Sequence, residues 1–202
     1  MSTAVTTIEG ENLPHRVLWL CALKQLEVAK AVSPGHKYFH LTAMLMAYLT
    51  YEAYLNFAGS RVAPADWKNE RAFFAKPGYW GAKGKLKRLL EVAGLPPVDE
   101  SSDQYKTILS LKVLRDHASH AKPERYVVRT EHPVTAEAEF FGPNLLGDAV
   151  SPELAAQAIE HVGHFLEQLH TSLRPSVKDI WFGDSALKGV TGYAVGKTKV
   201  NA

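Results

Sequence analysis

A stretch of helical length, from His36 to Val62, is apolar on nearly every side and constrains the fold more than any other part of this chain. A helix that is apolar all round belongs in the middle of a bundle, where other elements cover it. Its most apolar part, residues 41–57, still contains four polar side chains: Thr42, Thr50, Glu52 and Asn56. These side chains favour a buried helix over a membrane span.

Three further long helices are expected around this one. Apolar residues recur with a helical period over residues 13–32, and Ser33-Pro34-Gly35 ends that pattern. Another helix is expected over residues 103–121, and a last one from Ser151, where a serine cap precedes Pro152, to Leu173. Short helices are expected over residues 65–74 and 83–93. The sequence thus predicts an all-α bundle of about four main helices.

Three other segments lack a helical period. Residues 1–10 are small and polar and predict a flexible N-terminus, followed by a helical domain over residues 11–182. Residues 123–150 form a small insert that is irregular or a β-hairpin, with its strands expected within Arg125–Phe141. Residues 183–202 form a C-terminal tail, expected to be either a strand-like arm or disordered.

The balance of charges limits the possible partners. The chain has 23 basic and 21 acidic residues, so its net charge is +2, and contact with nucleic acid has to come from a local patch. Cys21 is the only cysteine, which excludes an internal disulfide and favours a reducing cytoplasm. The N-terminus lacks the pattern of a signal peptide, and we expect neither a membrane partner nor a cofactor.

The segment Leu114 to His120 holds the strongest functional signal. Arg115 and His120 are five residues apart near the end of the third main helix, and Asp116 lies one turn before His120. An arginine holds a phosphate with a permanently charged fork, and a histidine transfers protons at neutral pH. Asp116 is expected to orient the imidazole, with the neighbouring His117 and Ser119 in supporting positions. The pair suits metal-independent RNA cleavage, but the pattern by itself favours a solvated helix end with a capping histidine.

Glu52 is a second candidate, because a carboxylate among tyrosines and leucines on an apolar helix needs a partner. It is expected either to steer Arg115 across the bundle or to make a purely structural bond to a tyrosine or a helix end. Asn56, one turn further on, is its neighbour on the same face.

The Arg115-Asp116-x(3)-His120 spacing resembles the Arg-polar-x(3)-His signature of the HEPN superfamily (higher eukaryote and prokaryote nucleotide-binding domains). The likeness spans residues 13–175 in helix order and places the motif near the end of the third main helix. It implies a dimeric helical bundle, and for many members a metal-independent endoribonuclease in toxin–antitoxin, phage-defence or RNA-processing systems. Arg115 and His120 would then be the catalytic pair, Asp116 the polar residue, and Glu52 an acidic position of an earlier helix.

The resemblance also implies partners: RNA, a second copy of the chain, and a cognate antitoxin or associated defence protein. In one toxin subgroup a tyrosine follows the histidine by two residues, but here that position is Lys122. Some members keep the fold without catalysis, so a non-catalytic nucleic-acid-binding or protein-interaction module is the alternative.

Other patterns in the chain point to weaker candidates. Lys83, Lys85, Lys87 and Arg88 lie near aromatic residues and are candidate RNA-binding residues. The pairs His36/His40 and His161/His164 have helical spacing, which leaves a metal-dependent bundle enzyme as a further alternative, although no carboxylate has matching spacing. Gly196-Lys197-Thr198 lacks the first glycine and the following helix of a phosphate-binding loop.

Overall fold

Four long helices form the body of the protein in the computed structural model, which describes residues 4–32, 35–120, 150–179 and 182–200. Three short helices and two strands complete the described part. In chain order the elements are β1 (Ala4–Asn12), α1 (Pro14–Ala31), α2 (His36–Val62), α3 (Pro64–Lys68), α4 (Glu70–Phe73), α5 (Gly81–Val92), α6 (Asp103–His120), α7 (Pro152–Leu173), a 3₁₀ turn (Arg174–Ser176) and β2 (Gly192–Val200). The predicted helical-bundle character is confirmed.

Helix α2 is the central element, as its apolar composition predicts. It packs against α1, α5, α6 and α7, and its largest fully buried side chains are Tyr48, Tyr51 and Tyr54. Gly59 is needed near its end, because a Cβ there would lie 1.9 Å from the ring of Trp67 on α3. Because α2 has neighbours on most of its surface, some of its charged side chains, such as Glu52 and Arg61, form ion pairs with other parts of the chain.

Helix α7 begins as the sequence predicts. The Ser151 side chain accepts a hydrogen bond from the backbone N–H of Leu154 over 3.1 Å, and Pro152 occupies the first turn. Buried apolar residues recur along α7 from Ala155 to Leu173 and seal it against α2 and α6. Local capping chemistry therefore fixes where this helix starts, and its apolar stripe fixes which way it faces.

The two ends of the chain pair with each other as strands. A strand replaces the flexible N-terminus expected over residues 1–10, and over residues 192–200 the structure has the strand-like arm, one of the two alternatives expected for the C-terminal tail. Residues 4–12 and 192–200 form an antiparallel pair, in register from Ala4 opposite Val200 to Asn12 opposite Gly192. Each strand supplies the hydrogen bonds that the other needs, and their separation along the chain hides this pairing from local sequence patterns. The predicted insert, residues 123–150, lies outside the described residues except for the buried Val150.

A segment before β2, residues 182–191, is tied to the bundle by two charged side chains. Arg16 on α1 donates to the carbonyls of Ser185 and Val190, each over 2.9 Å. Glu167 on α7 accepts from the Ser185 hydroxyl over 2.6 Å and from the backbone N–H groups of Ala186 and Leu187. The guanidinium of Arg16 therefore binds carbonyl acceptors of residues 182–191, and the carboxylate of Glu167 binds hydroxyl and N–H donors of the same segment.

A helix that spans a bilayer has to be both long and apolar. Among the described residues, none of the helices has both the length and the apolar character needed to span a bilayer.

Candidate functional site

Arg115 continues the buried stripe of α6 toward the C-terminal end of the helix. Tyr105, Ile108 and Leu111 are almost fully buried, and Arg115 follows one turn after Leu111 with 28% of its side chain exposed. The guanidinium of Arg115 is therefore the first charged group that follows the buried apolar stripe of α6.

Two carboxylates hold the guanidinium of Arg115. Its Nη2 donates to Oε1 of Glu52 on α2 over 2.7 Å, and its Nη1 lies 2.9 Å from Oδ1 of Asp116. Glu52 was expected either to steer Arg115 or to make a purely structural bond, and the structure has the contact between Glu52 and Arg115. Because the partners lie on different helices, the pair fixes the guanidinium relative to the bundle, as a phosphate-binding group requires.

Tyr48 forms the floor of this site and was not singled out from the sequence. The guanidinium of Arg115 lies over its ring, 5.2 Å from the centroid. Burial raises the pKa of the Tyr48 hydroxyl to about 12, and the charge of Glu52 acts in the same direction. The buried hydroxyl of Tyr48 lies beside the side chains of both Arg115 and Glu52. Tyr48 precedes Glu52 by four residues on α2, and this spacing is the sequence signal that places the two side chains on one face of the helix.

Arg115 and His120 lie on two different sides of the end of α6. Five residues on an α-helix correspond to a rotation of about 140°, which separates the two side chains around α6. His120 is exposed at the last described residue of the helix, whereas Arg115 turns toward α2. A pocket shared by both groups therefore needs further atoms beyond those of α2 and α6.

Asp116 also differs from its predicted role as the residue that orients His120. Its carboxylate accepts from Lys112 over 2.5 Å and pairs with Arg115, and it makes no hydrogen bond to His120 in the part of the molecule described here. The bond from Lys112 lowers the pKa of Asp116, and the charge of Arg115 lowers it further. Lys112 at i−4 and the neighbouring Arg115 therefore occupy the Asp116 carboxylate.

The supporting residues predicted from the sequence divide between two places. His117 is half-buried and Ser119 is exposed, both on the last turns of α6. Asn56 lies on α2 but accepts a hydrogen bond from Lys85 on α5 over 2.6 Å, so it belongs to a different contact from that of Glu52 and Arg115.

The four candidate RNA-binding residues each have an acidic partner. Lys83 pairs with Glu100 at 2.6 Å and Arg88 with Asp66 at 2.7 Å. The other two partners are Glu70 for Lys85 and Glu91 for Lys87. These acids come from other elements or from the next turn of α5, which removes most of the attraction that the cluster would exert on a phosphate chain.

The two histidine pairs serve local contacts. The rings of His36 and His40 are 5.6 Å apart in an edge-to-face arrangement, and Nδ1 of His161 lies 2.8 Å from the Thr107 hydroxyl. Within the described ranges, no three histidine, cysteine or carboxylate side chains come together as a group able to hold a metal ion.

Comparisons with known proteins were made on sequence and on structure. Neither a family model, nor a curated protein, nor a solved structure matches this chain. The function therefore has to be inferred from the residues and contacts of this chain.

Proposed function

We propose that the protein is a metal-independent endoribonuclease of HEPN type, acting as a homodimer in defence, in a toxin–antitoxin pair or in RNA processing. The observation that supports this most is the bond from Arg115 to Glu52 over 2.7 Å, at the end of α6. A guanidinium fixed between two helices, beside an exposed histidine on the same helix end, suits a site for one phosphodiester.

The proposed reaction needs only protons and charge. A neutral imidazole of His120 takes the proton of the ribose 2′-hydroxyl, and the 2′-oxygen attacks the adjacent phosphorus. The bond from phosphorus to the 5′-oxygen breaks, and that oxygen takes up a proton from a protonated imidazole. The products are a 2′,3′-cyclic phosphate and a 5′-hydroxyl, while Arg115 stabilises the extra negative charge on the phosphate oxygens.

A dimer would supply what one subunit lacks. The base and the acid act on opposite sides of the phosphorus, so two imidazoles serve the reaction better than one. A twofold axis near the end of α6 would bring the His120 side chain of a second copy toward the Arg115 of the first, and twofold dimers are the commonest assemblies. Localisation in the cytoplasm fits this substrate and the single cysteine, Cys21.

One observation favours the alternative, a non-catalytic module that binds nucleic acid or protein. Arg115 already shares its charge between Glu52 and Asp116. A guanidinium with two carboxylates has less attraction left for a phosphate, and its present contacts are those of a structural residue. In that case replacing Arg115 would change stability and leave biological activity of the folded protein unchanged.

RNA cleavage in EDTA separates these readings. The proposal expects fragments with a cyclic phosphate from the wild type, and none from Arg115→Ala or His120→Ala. A purified protein that leaves RNA intact, also after removal of any copurifying inhibitor, would support the non-catalytic module. Cleavage that stops in EDTA would instead indicate a metal-dependent enzyme.

A further inference from the structure

One surface outside the α2–α6 site combines unpaired cations with an exposed tryptophan. Residues 68–88 contain seven basic side chains and one acidic side chain, whereas the whole chain has a net charge of only +2. Four of the seven, those of α5, have acidic partners as described above. The remaining three, Lys68, Arg71 and Lys76, are exposed, and none of them forms an ion pair with any described residue.

Trp80 provides the aromatic part of this surface. Its side chain is 66% exposed, and its indole N–H donates to the carbonyl of Ala75 over 2.7 Å. A large exposed aromatic ring is costly in water, and this one is also held in a fixed orientation by its hydrogen bond. A ring that is both exposed and rigid loses little conformational entropy when a flat group stacks on it.

The backbone from Phe73 to Trp80 is tightly wound, which keeps Lys76 close to the Trp80 ring, while Lys68 and Arg71 precede this turn on α3 and α4. The N–H of Lys76 bonds to the carbonyl of Phe73, and the N–H of Tyr79 bonds to the carbonyl of Lys76. The ammonium of Lys76 lies over the Phe73 ring, 4.4 Å from its centroid, so a cation–π contact holds this exposed charge beside the turn.

We propose that Lys68, Arg71, Lys76 and Trp80 form a binding surface for single-stranded RNA, called here the Trp80 surface. The three cations contact successive phosphates, and the indole stacks on one base. The inference takes RNA as the ligand from the proposed function, and it replaces the α5 cations of the sequence analysis with neighbours that lack acidic partners. An anionic membrane is the competing partner for basic residues beside a tryptophan.

Binding of a fluorescein-labelled oligouridine of about 12 nucleotides, measured by fluorescence anisotropy in EDTA, tests the surface. His120→Ala serves as the background so that the probe stays intact. Trp80→Ala is expected to raise the Kd by about 5-fold to 100-fold, the usual range for loss of one stacked base. Trp80→Phe keeps a stacking ring and is expected to restore most of the affinity. Tyr38→Ala, at a tyrosine that is 75% exposed on α2, is the matched control and is expected to bind as the background does.

The cations are tested by the salt dependence of the same binding. Replacing Lys68, Arg71 and Lys76 together with glutamine is expected to reduce the slope of log K against log salt by about 2, since each phosphate contact contributes about 0.7. The control replaces three exposed lysines elsewhere, Lys30, Lys37 and Lys188, and removes the same charge. Equal effects of the two triple variants, or unchanged binding by Trp80→Ala, would overturn the inference.

Two further outcomes have defined meanings. Vesicles of phosphatidylcholine with 30% phosphatidylserine serve as the membrane probe; binding to them that depends on Trp80, without binding to the oligouridine, would also overturn the inference. Binding that depends on the Trp80 surface in a wild type that cleaves no RNA counts against the proposed nuclease alone. Cleavage without dependence on this surface counts against the Trp80 surface alone.

Discussion

Arg115 on α6 donates a hydrogen bond to the Glu52 carboxylate on α2 over 2.7 Å, and this pair joins the central helix to the helix that ends in His120. The two side chains are 28% and 30% exposed, so water screens their attraction only in part. The direction of the guanidinium is therefore set by a residue 63 positions earlier in the chain.

Replacing Glu52 with glutamine is expected to lower both stability and activity. A charge-assisted hydrogen bond becomes a neutral one, which costs roughly 1–2 kcal/mol of the free energy of unfolding. The kcat for RNA cleavage is expected to fall by about 10-fold with little change in KM, because Arg115 loses its fixed position. Urea unfolding and single-turnover cleavage measure the two effects. Glu27→Gln, in an exposed pair with Lys24, is the control, and an equal effect of both variants would contradict the role of Glu52.

Tyr48 is expected to act through its ring and not through its hydroxyl. Tyr48→Phe keeps the ring under Arg115 and removes only the hydroxyl beside Arg115 and Glu52, so stability should change much less than in Tyr48→Leu. Tyr48→Leu removes the cation–π contact, worth about 0.5–2 kcal/mol, and lowers kcat. Thermal unfolding of both variants checks this, and a loss of stability in Tyr48→Phe as large as that in Tyr48→Leu would show that the hydroxyl is needed.

Glu167 is expected to hold the segment of residues 182–191. Its carboxylate accepts from the backbone N–H groups of Ala186 and Leu187 over 3.0 and 3.2 Å. Glu167→Gln is expected to lower stability by about 1–3 kcal/mol and to speed hydrogen exchange at these two amides. Glu160→Gln, at an exposed position on the same helix, should leave both amides protected. Unchanged exchange in Glu167→Gln would mean that Arg16 alone holds the loop.

The stability of the protein is expected to fall in mild acid because of His15. Burial lowers the pKa of this fully buried imidazole from 6.5 to about 4, and the charge of Arg16 acts in the same direction. Above pH 6.5 the ring is neutral in both states; below it the unfolded chain binds a proton that the folded chain does not. The free energy of unfolding therefore falls by about 3 kcal/mol between pH 6.5 and pH 4, and it levels off at lower pH as far as His15 is concerned. His170 contributes in the same direction, since burial lowers its pKa too.

Urea unfolding at several pH values measures this dependence. His15→Leu removes the buried titrating group, and the variant should lose most of the acid sensitivity. His164→Gln, at an exposed histidine, should keep the wild-type dependence. A dependence on pH that is unchanged in His15→Leu would assign the acid sensitivity to other groups.

The parts of the fold that local sequence predicts are those with a local cause. The apolar surface of α2 predicts its central place, and Ser151-Pro152 predicts the start of α7, because both patterns act over one or a few turns. The pairing of Ala4–Asn12 with Gly192–Val200 has no such signal, since the partners lie at opposite ends of the chain.

The candidate site shows the same limit at the level of side chains. The spacing of Arg115 and His120, and with it their separation around α6, follows from the sequence, but which of the two faces α2 depends on which stripe of the helix is buried. The partners of the α5 cations, such as Asp66 for Arg88, also depend on packing between elements. Sequence therefore predicts the chemical groups, while their pairing follows from packing.

The rate of RNA cleavage in EDTA by the wild type and by His120→Ala tests the central claim most directly. The proposed mechanism predicts that the variant, folded as judged by its thermal unfolding, loses at least about 100-fold in rate because the proton-transfer group is gone. His164→Ala, another exposed histidine, is predicted to cleave at the wild-type rate. Equal rates for the wild type and His120→Ala, with cyclic phosphate ends in both, would contradict a role of His120 in catalysis.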